Sequence, residues 1–89
     1  MAAQVFLHTY DAPGAEPRNE GRVFLRLPTV GEYVTLSPTS DWYEVTLVVH
    51  CPFEATYAAE VYARRVDHLE VVKERAPYVH GVATKKRAR

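Results

Sequence analysis

The chain has few of the residues that announce chemistry. Cys51 is its single cysteine, so no internal disulfide can form, and no CxxC or HxxxH pair is present to nucleate a metal or redox site. A reducing compartment fits that usage. A long hydrophobic run is also missing. MAAQVFLHTY has no basic residue ahead of its short apolar stretch, which is far below the length of a signal-peptide core or a membrane span, so a cytoplasmic protein is expected. Net charge is absent too, with 11 basic and 11 acidic residues among 89. The balance conceals a split, because Lys85, Lys86, Arg87 and Arg89 crowd the C-terminal end and leave the remainder about four units acidic. The body is therefore a poor non-specific binder of nucleic acid, and any such binding falls to the basic tail.

What the chain does have is β-branched and aromatic residues in short alternating runs. The longest is WYEVTLVVHCP, from Trp42 to Pro52, which predicts a central strand. Strict alternation puts Tyr43, Val45, Leu47, Val49 and Cys51 on a core face, and Trp42, Glu44, Thr46, Val48 and His50 on the other. Ahead of it, Val5, Leu7 and Thr9 alternate with Phe6, His8 and Tyr10 in a first strand. DAPGAEPRNEG, residues 11–21, has no periodicity and predicts a loop. In Arg22 to Leu27 the alternation points Val23, Leu25 and Leu27 inward, with Arg22, Phe24 and Arg26 outward. After Pro28 and the turn at Gly31, Val34 and Leu36 share a face with Val30, while Tyr33 and Thr35 take the other. SPTSD, residues 37–41, makes a compact turn into the central strand.

Residues 58–75 fit two patterns. As a helix, Ala59, Tyr62, Val66, Leu69 and Val72 or Lys73 share a face, and Glu60 and Arg64 form an i, i+4 pair. As strands, Ala59, Val61 and Ala63 point inward, Asp67 and His68 turn the chain, and Leu69, Val71 and Lys73 begin a closing strand. The β-branched content of AEVYA and LEVV favours strands, and a thin core needs partners on both edges of the central strand. The expected architecture is a mainly β domain over residues 1–76, a small antiparallel barrel of five or six strands. A flexible basic tail over 77–89 follows it, and an α+β fold with a helix over about 58–75 is the alternative. A domain of this size buries only about 60 to 65% of the surface its unfolded chain exposes.

The succession LPTVGEYVTL, a short turn, WYEVTLVVH and then AAEVYARRVD resembles small bacterial or phage-borne proteins with an SH3-like barrel, over roughly residues 23–72. The resemblance implies an interaction module and carries no catalytic signature.

His50 beside Cys51 on a strand points to the opposite face, and His8, His68 and His80 are scattered, so no metal ligand set and no cofactor is expected. A nucleophilic Cys51 needs an open cleft and a lowered thiol pKa, whereas alternation shuts it in the core, which leaves a small thiol or metal enzyme the remotest reading. Glu32, Glu44, Glu54 and Glu60 show no spacing that would unite two of them. The aromatics off the core face are more informative. Trp42, Tyr33 and Tyr62, with His50 and Glu44 and with Phe24 and Tyr57 nearby, suggest a surface for a protein partner or a second copy in a homodimer. A non-catalytic protein–protein interaction module is the favoured function. A nucleic-acid-associated accessory protein using Lys85, Lys86, Arg87 and Arg89 is the alternative from another class.

Overall fold

The computed structural model describes residues 2–76, so the basic tail at 77–89 lies outside the described residues. The elements are strand β1 (Ala3–Tyr10), β2 (Arg18–Phe24), β3 (Tyr33–Thr35), β4 (Trp42–His50) and β5 (Ala59–Val66), followed by helix α1 (His68–Arg75). The strands form one curled sheet in the order β2-β1-β5-β4-β3, a half-barrel, so the domain is mainly β. Three of the four pairings are antiparallel. The fourth, β1 with β5, is parallel, which an all-antiparallel barrel does not contain. One connection, from β2 to β3, crosses from one edge of the sheet to the other and makes that pair possible, because the chain then returns through β3 and β4 to reach the other side of β1.

The concave face holds the core. Val5 and Leu7 of β1, Val34 of β3, Tyr43 and Val45 of β4, and Val61 and Ala63 of β5 are buried together, with Phe24, Leu27, Leu36 and Val48 packed against them. Small residues at Ala59 and Ala63 let a five-stranded sheet curl tightly over so few side chains. Tyr43 fills the centre, and its hydroxyl leaves the core to donate to Asp11 Oδ1 at 2.8 Å while accepting from Arg18 Nη2 at 2.6 Å. One buried ring thereby ties down the 11–17 loop. Burial, and then the bond to Asp11, push the Tyr43 hydroxyl above its ordinary pKa.

Four expectations from the sequence need correction. In β4 the ladder shifts between Val45 and Leu47, so Thr46 is an extra residue and its hydroxyl donates to the Tyr62 carbonyl oxygen at 3.2 Å. This bulge turns Leu47 and Val49 to the outer face, where they are 49% and 43% exposed, and brings Val48 toward the core instead. Cys51, at the end of the strand, is partly exposed rather than shut in the core. In β2 the expected faces are exchanged: Phe24 packs inward, while Val23 and Leu25 are exposed, as is Val30. The strand also begins earlier, taking Arg18 to Gly21 out of the expected loop.

The fourth correction concerns residues 68–75. The strand reading holds for β5, with Ala59, Val61 and Ala63 all buried, but Leu69, Val71 and Lys73 belong to α1 and not to a closing strand. Asp67 is the helix N-cap, its carboxylate accepting from the Leu69 N–H at 3.0 Å. Glu70 in the first turn and Lys73 and Arg75 in the last oppose the helix dipole. None of the helix's residues is fully buried, so local capping and charge hold it more than packing does.

Candidate functional site

The convex face of the sheet is where the unexpected chemistry gathers. Residues directly opposite in a ladder share a face. The pairs Phe6 with Gly21, His8 with Asn19 and with Tyr62, Tyr62 with Leu47, Arg64 with Glu44, Glu44 with Tyr33, and Trp42 with Val66 and Thr35 therefore all lie on this outer side. The segment before β5 covers one end of it through Tyr57, and the start of α1 approaches the other through His68, whose ring centroid is 5.5 Å from that of Trp42.

At the β1–β5 seam the rings interlock. Tyr57 stacks on Phe6 at 5.0 Å, Phe6 meets His8 edge to face at 4.8 Å, and His8 stacks on Tyr62 at 4.4 Å. His8 is 8% exposed beneath these rings and is bonded at both nitrogens. Nδ1 lies 2.6 Å from Asn19 Oδ1 and Nε2 lies 2.9 Å from Glu60 Oε1. Tyr62 donates to the same Glu60 oxygen at 3.3 Å, and desolvation followed by the Glu60 charge raises its hydroxyl pKa, which keeps it a donor. This is a satisfied polar knot under an aromatic cover, held by β1, β2 and β5 together.

Gly21 is what admits Tyr57. A Cβ at position 21 would stand 2.9 Å from the Tyr57 hydroxyl and 3.1 Å from its ring, so glycine on β2 leaves the space into which the ring settles beside Phe6. Backbone bonds fix the segment that carries the ring: the Ala58 N–H donates to the Gln4 carbonyl at 2.7 Å, and the Cys51 N–H donates to the Ala58 carbonyl at 2.9 Å.

A second group occupies the β3–β4 side. Tyr33 and Trp42 are 6.1 Å apart and tilted, with His68 beyond Trp42. Between the two groups lies the Glu44–Arg64 ion pair, Arg64 Nη2 donating to Glu44 Oε1 at 2.8 Å and Nε to the same oxygen at 3.2 Å. Leu47 and Val49, turned outward by the bulge, lie beside Tyr62 and Glu60.

Of the residues expected to form the surface, Trp42, Tyr33, Tyr62 and Glu44 share the outer face. His50 does not, because the bulge pairs it with core-facing Ala59 and moves it to the other side at the sheet's end. Phe24, expected nearby, packs on the concave side. The sequence does not place Phe6, His8, Asn19 or Glu60 on this surface, although His8 and Glu60 stand among its candidate ligands and carboxylates. The signal for two of them was the alternation of Phe6 and His8 opposite a fully apolar face, but pairing with Asn19 and Glu60 depends on register. The basic candidates Lys85, Lys86, Arg87 and Arg89 lie outside the described residues.

Two open hollows lie elsewhere. One, of about 770 Å³, sits at the strand ends between the 11–14 loop, Asp41 and the β5–α1 junction, borders the convex face at Arg64 and His68, and carries Asp11, Asp41, Asp67 and Arg65 in its walls. The other, of about 690 Å³, lies in the gap where the half-barrel does not close, between β2 and β3, lined by Phe24, Val34 and Leu36. Arg22 reaches across that gap to the Leu36 carbonyl at 3.1 Å. Among the described residues no three His, Cys, Asp or Glu side chains gather as metal ligands, and no helix is long and apolar enough to cross a membrane. No family model matches the chain, and neither the curated proteins nor the solved structures provide a match.

Proposed function

We propose that the protein is a non-catalytic interaction module that docks a partner protein on the convex sheet face running from Phe6 and Tyr57 through Tyr62 and Leu47 to Trp42 and Tyr33. One observation carries this reading: a sheet face that would ordinarily be polar instead presents half-buried rings flanked by exposed Leu47 and Val49. Tyrosine, tryptophan and arginine are the residue types that anchor protein interfaces, and here they stand around a pre-paired Glu44–Arg64. The hollows lie at the strand ends and in the gap, so this face suits a broad protein contact more than an enclosed small ligand. Stacking fixes the rings before any partner arrives, which lowers the entropy lost on binding.

Trp42 is the only tryptophan and sits in the proposed contact. Trp42→Ala and Tyr62→Ala variants, with unchanged far-UV spectra, are compared with the wild type as bait in the native cell extract. A protein retained by the wild type, lost by both variants and shifting Trp42 emission when purified and added back supports the reading. An identical captured set for all three baits, or no emission shift with any captured protein, overturns it.

A further inference from the structure

The two edges of the sheet are built differently. β3 is three residues long and lies between Pro28 and Pro38, the short edge by which sheets avoid further pairing. β2 is seven residues long, has no proline within it, and among the described residues pairs only with β1. Exposed Val23, at 68%, and Leu25, at 90%, extend this edge with apolar surface.

The order of charges along β2 restricts what can pair with it. In an antiparallel pair of identical strands related by a two-fold axis, each residue faces the one equally far beyond the centre. Centred on Glu20, the pairing sets Glu20 against Glu20 and Arg18 against Arg22 of the second copy. Centred on Arg22, it sets Arg22 against itself. Centred on Gly21, it sets Glu20 against Arg22 and Arg22 against Glu20, with the two glycines meeting at the axis. Centred on Asn19, the pairing sets Arg18 against Glu20 but joins only residues 18–20 of the strand, whereas the Gly21 register is attractive at Glu20 and Arg22 and pairs all seven residues of β2. Within one chain Arg22 Nε already donates to Glu20 Oε2, so the two copies would bring together a ring of two carboxylates and two guanidiniums.

From this self-complementary order we infer that the β2 edge is a homodimer interface, on which a second copy of the chain pairs antiparallel about Gly21 to make a continuous ten-stranded sheet. Arg22 exchanges its bond to the Leu36 carbonyl for the Glu20 of the second copy, and the open side of the half-barrel supplies the space. Tyr57, seated over Gly21, then stands next to its counterpart across the axis, so the two convex aromatic faces become continuous. The inference goes beyond the partner-docking reading, and its test changes different residues.

Sedimentation of the wild type from low micromolar to near-millimolar concentration reads the dimer directly. Glu20→Arg and Arg22→Glu each put like charges opposite one another at both positions and are expected to weaken the dimer roughly tenfold or more. An equimolar mixture of the two variants restores opposite charges at every position and is expected to recover dimer, as is the double swap in one chain. Both side chains are partly exposed, and far-UV spectra establish that the variants fold. The inference is overturned by a wild type that stays monomeric throughout, by a dimer that either single reversal leaves intact, or by single variants whose mixture remains monomeric. Dimer formation can fail while partner capture through Trp42 and Tyr62 persists, and the reverse, so the two readings are tested separately.

Discussion

The two faces of this one sheet are made of different material. The concave face is small and aliphatic, with Val5, Leu7, Val45, Val61 and Ala63 excluding water around one tyrosine ring. The convex face is built of rings and paired polar groups, with His8 bonded at both nitrogens and Glu44 held by Arg64. Burial free energy scales with apolar area removed from water, so the concave layer carries most of the stability. The convex layer gains less from burial and more from geometry. That division leaves the outer face free to vary without unfolding the domain.

The largest effect expected from a single change is therefore on the concave side. Leu7→Ala removes a fully buried side chain at the middle of β1 and should cost about 3 kcal/mol, measured by urea denaturation. A domain of this size holds only about 5 kcal/mol in total, so the variant should be close to unfolding at ordinary temperature. A cost near that of a surface change would show that the concave face is not the chief source of stability.

His8 sharpens the contrast. His8→Ala takes away the ring stack on Tyr62 and the bonds to Asn19 and Glu60, and should cost about 1 to 2 kcal/mol by the same measurement. His8→Phe keeps a ring under Tyr62 and should recover part of the loss, which separates stacking from hydrogen bonding. If phenylalanine is no better than alanine, the polar bonds and not the rings hold the outer layer together.

Gly21→Ala probes the same layer with a smaller perturbation. The new methyl must displace the far end of Tyr57, which a side chain does more cheaply than backbone does, so stability should change by no more than about 1 kcal/mol. The stack of Tyr57 on Phe6 should nevertheless be lost, seen as a reduced near-UV circular dichroism signal. An unaltered near-UV signal would mean that the ring does not depend on the glycine.

Much of the concave face was legible in the sequence because it depends on short-range alternation. Val5, Leu7 and Thr9, Tyr43 and Val45, and Ala59, Val61 and Ala63 all face the core as their spacing says. Alternation fails where both faces are apolar. In Thr46 to Val49 nothing distinguishes a regular strand from one with an extra residue, and the bulge exchanges the faces of everything beyond it. Arg22 to Leu27 fails for the same reason, since Phe24 is as good a core residue as Val23 or Leu25. The helix at 68–75 is legible only within the alternative helix over about 58–75, because Leu69, Val71 and Val72 fit a strand as well and Asp67, its cap, also fits a turn. The convex site was half legible. Trp42, Tyr33, Tyr62 and Glu44 follow from position within a strand, but the meeting of His8 with Asn19 and Glu60 depends on long-range pairing, including a parallel one.

The smallest effect concerns neither face but the loop that joins β2 to β3. Arg26 grips Glu32 with both nitrogens, at 3.0 and 2.5 Å, and the Thr29 N–H donates to Glu32 Oε1 at 2.8 Å. The guanidinium first, and the backbone N–H second, lower the Glu32 carboxyl from its ordinary value to about 2. A carboxyl depressed in the folded state stabilises the fold fully above its unfolded value of 4.5, and that contribution fades as pH falls from there toward 2. Both side chains are well exposed, so solvent and salt screen the pair and its effect is slight. Glu32→Gln should therefore lower stability a little at neutral pH, by an amount that shrinks on acidification and with added salt, followed as the difference in urea midpoint between variant and wild type. A difference that stays constant from pH 6 to pH 2 would remove the carboxylate from the clamp, and would leave the Thr29 turn and Gly31, whose φ of 94° suits glycine, as what shapes the loop.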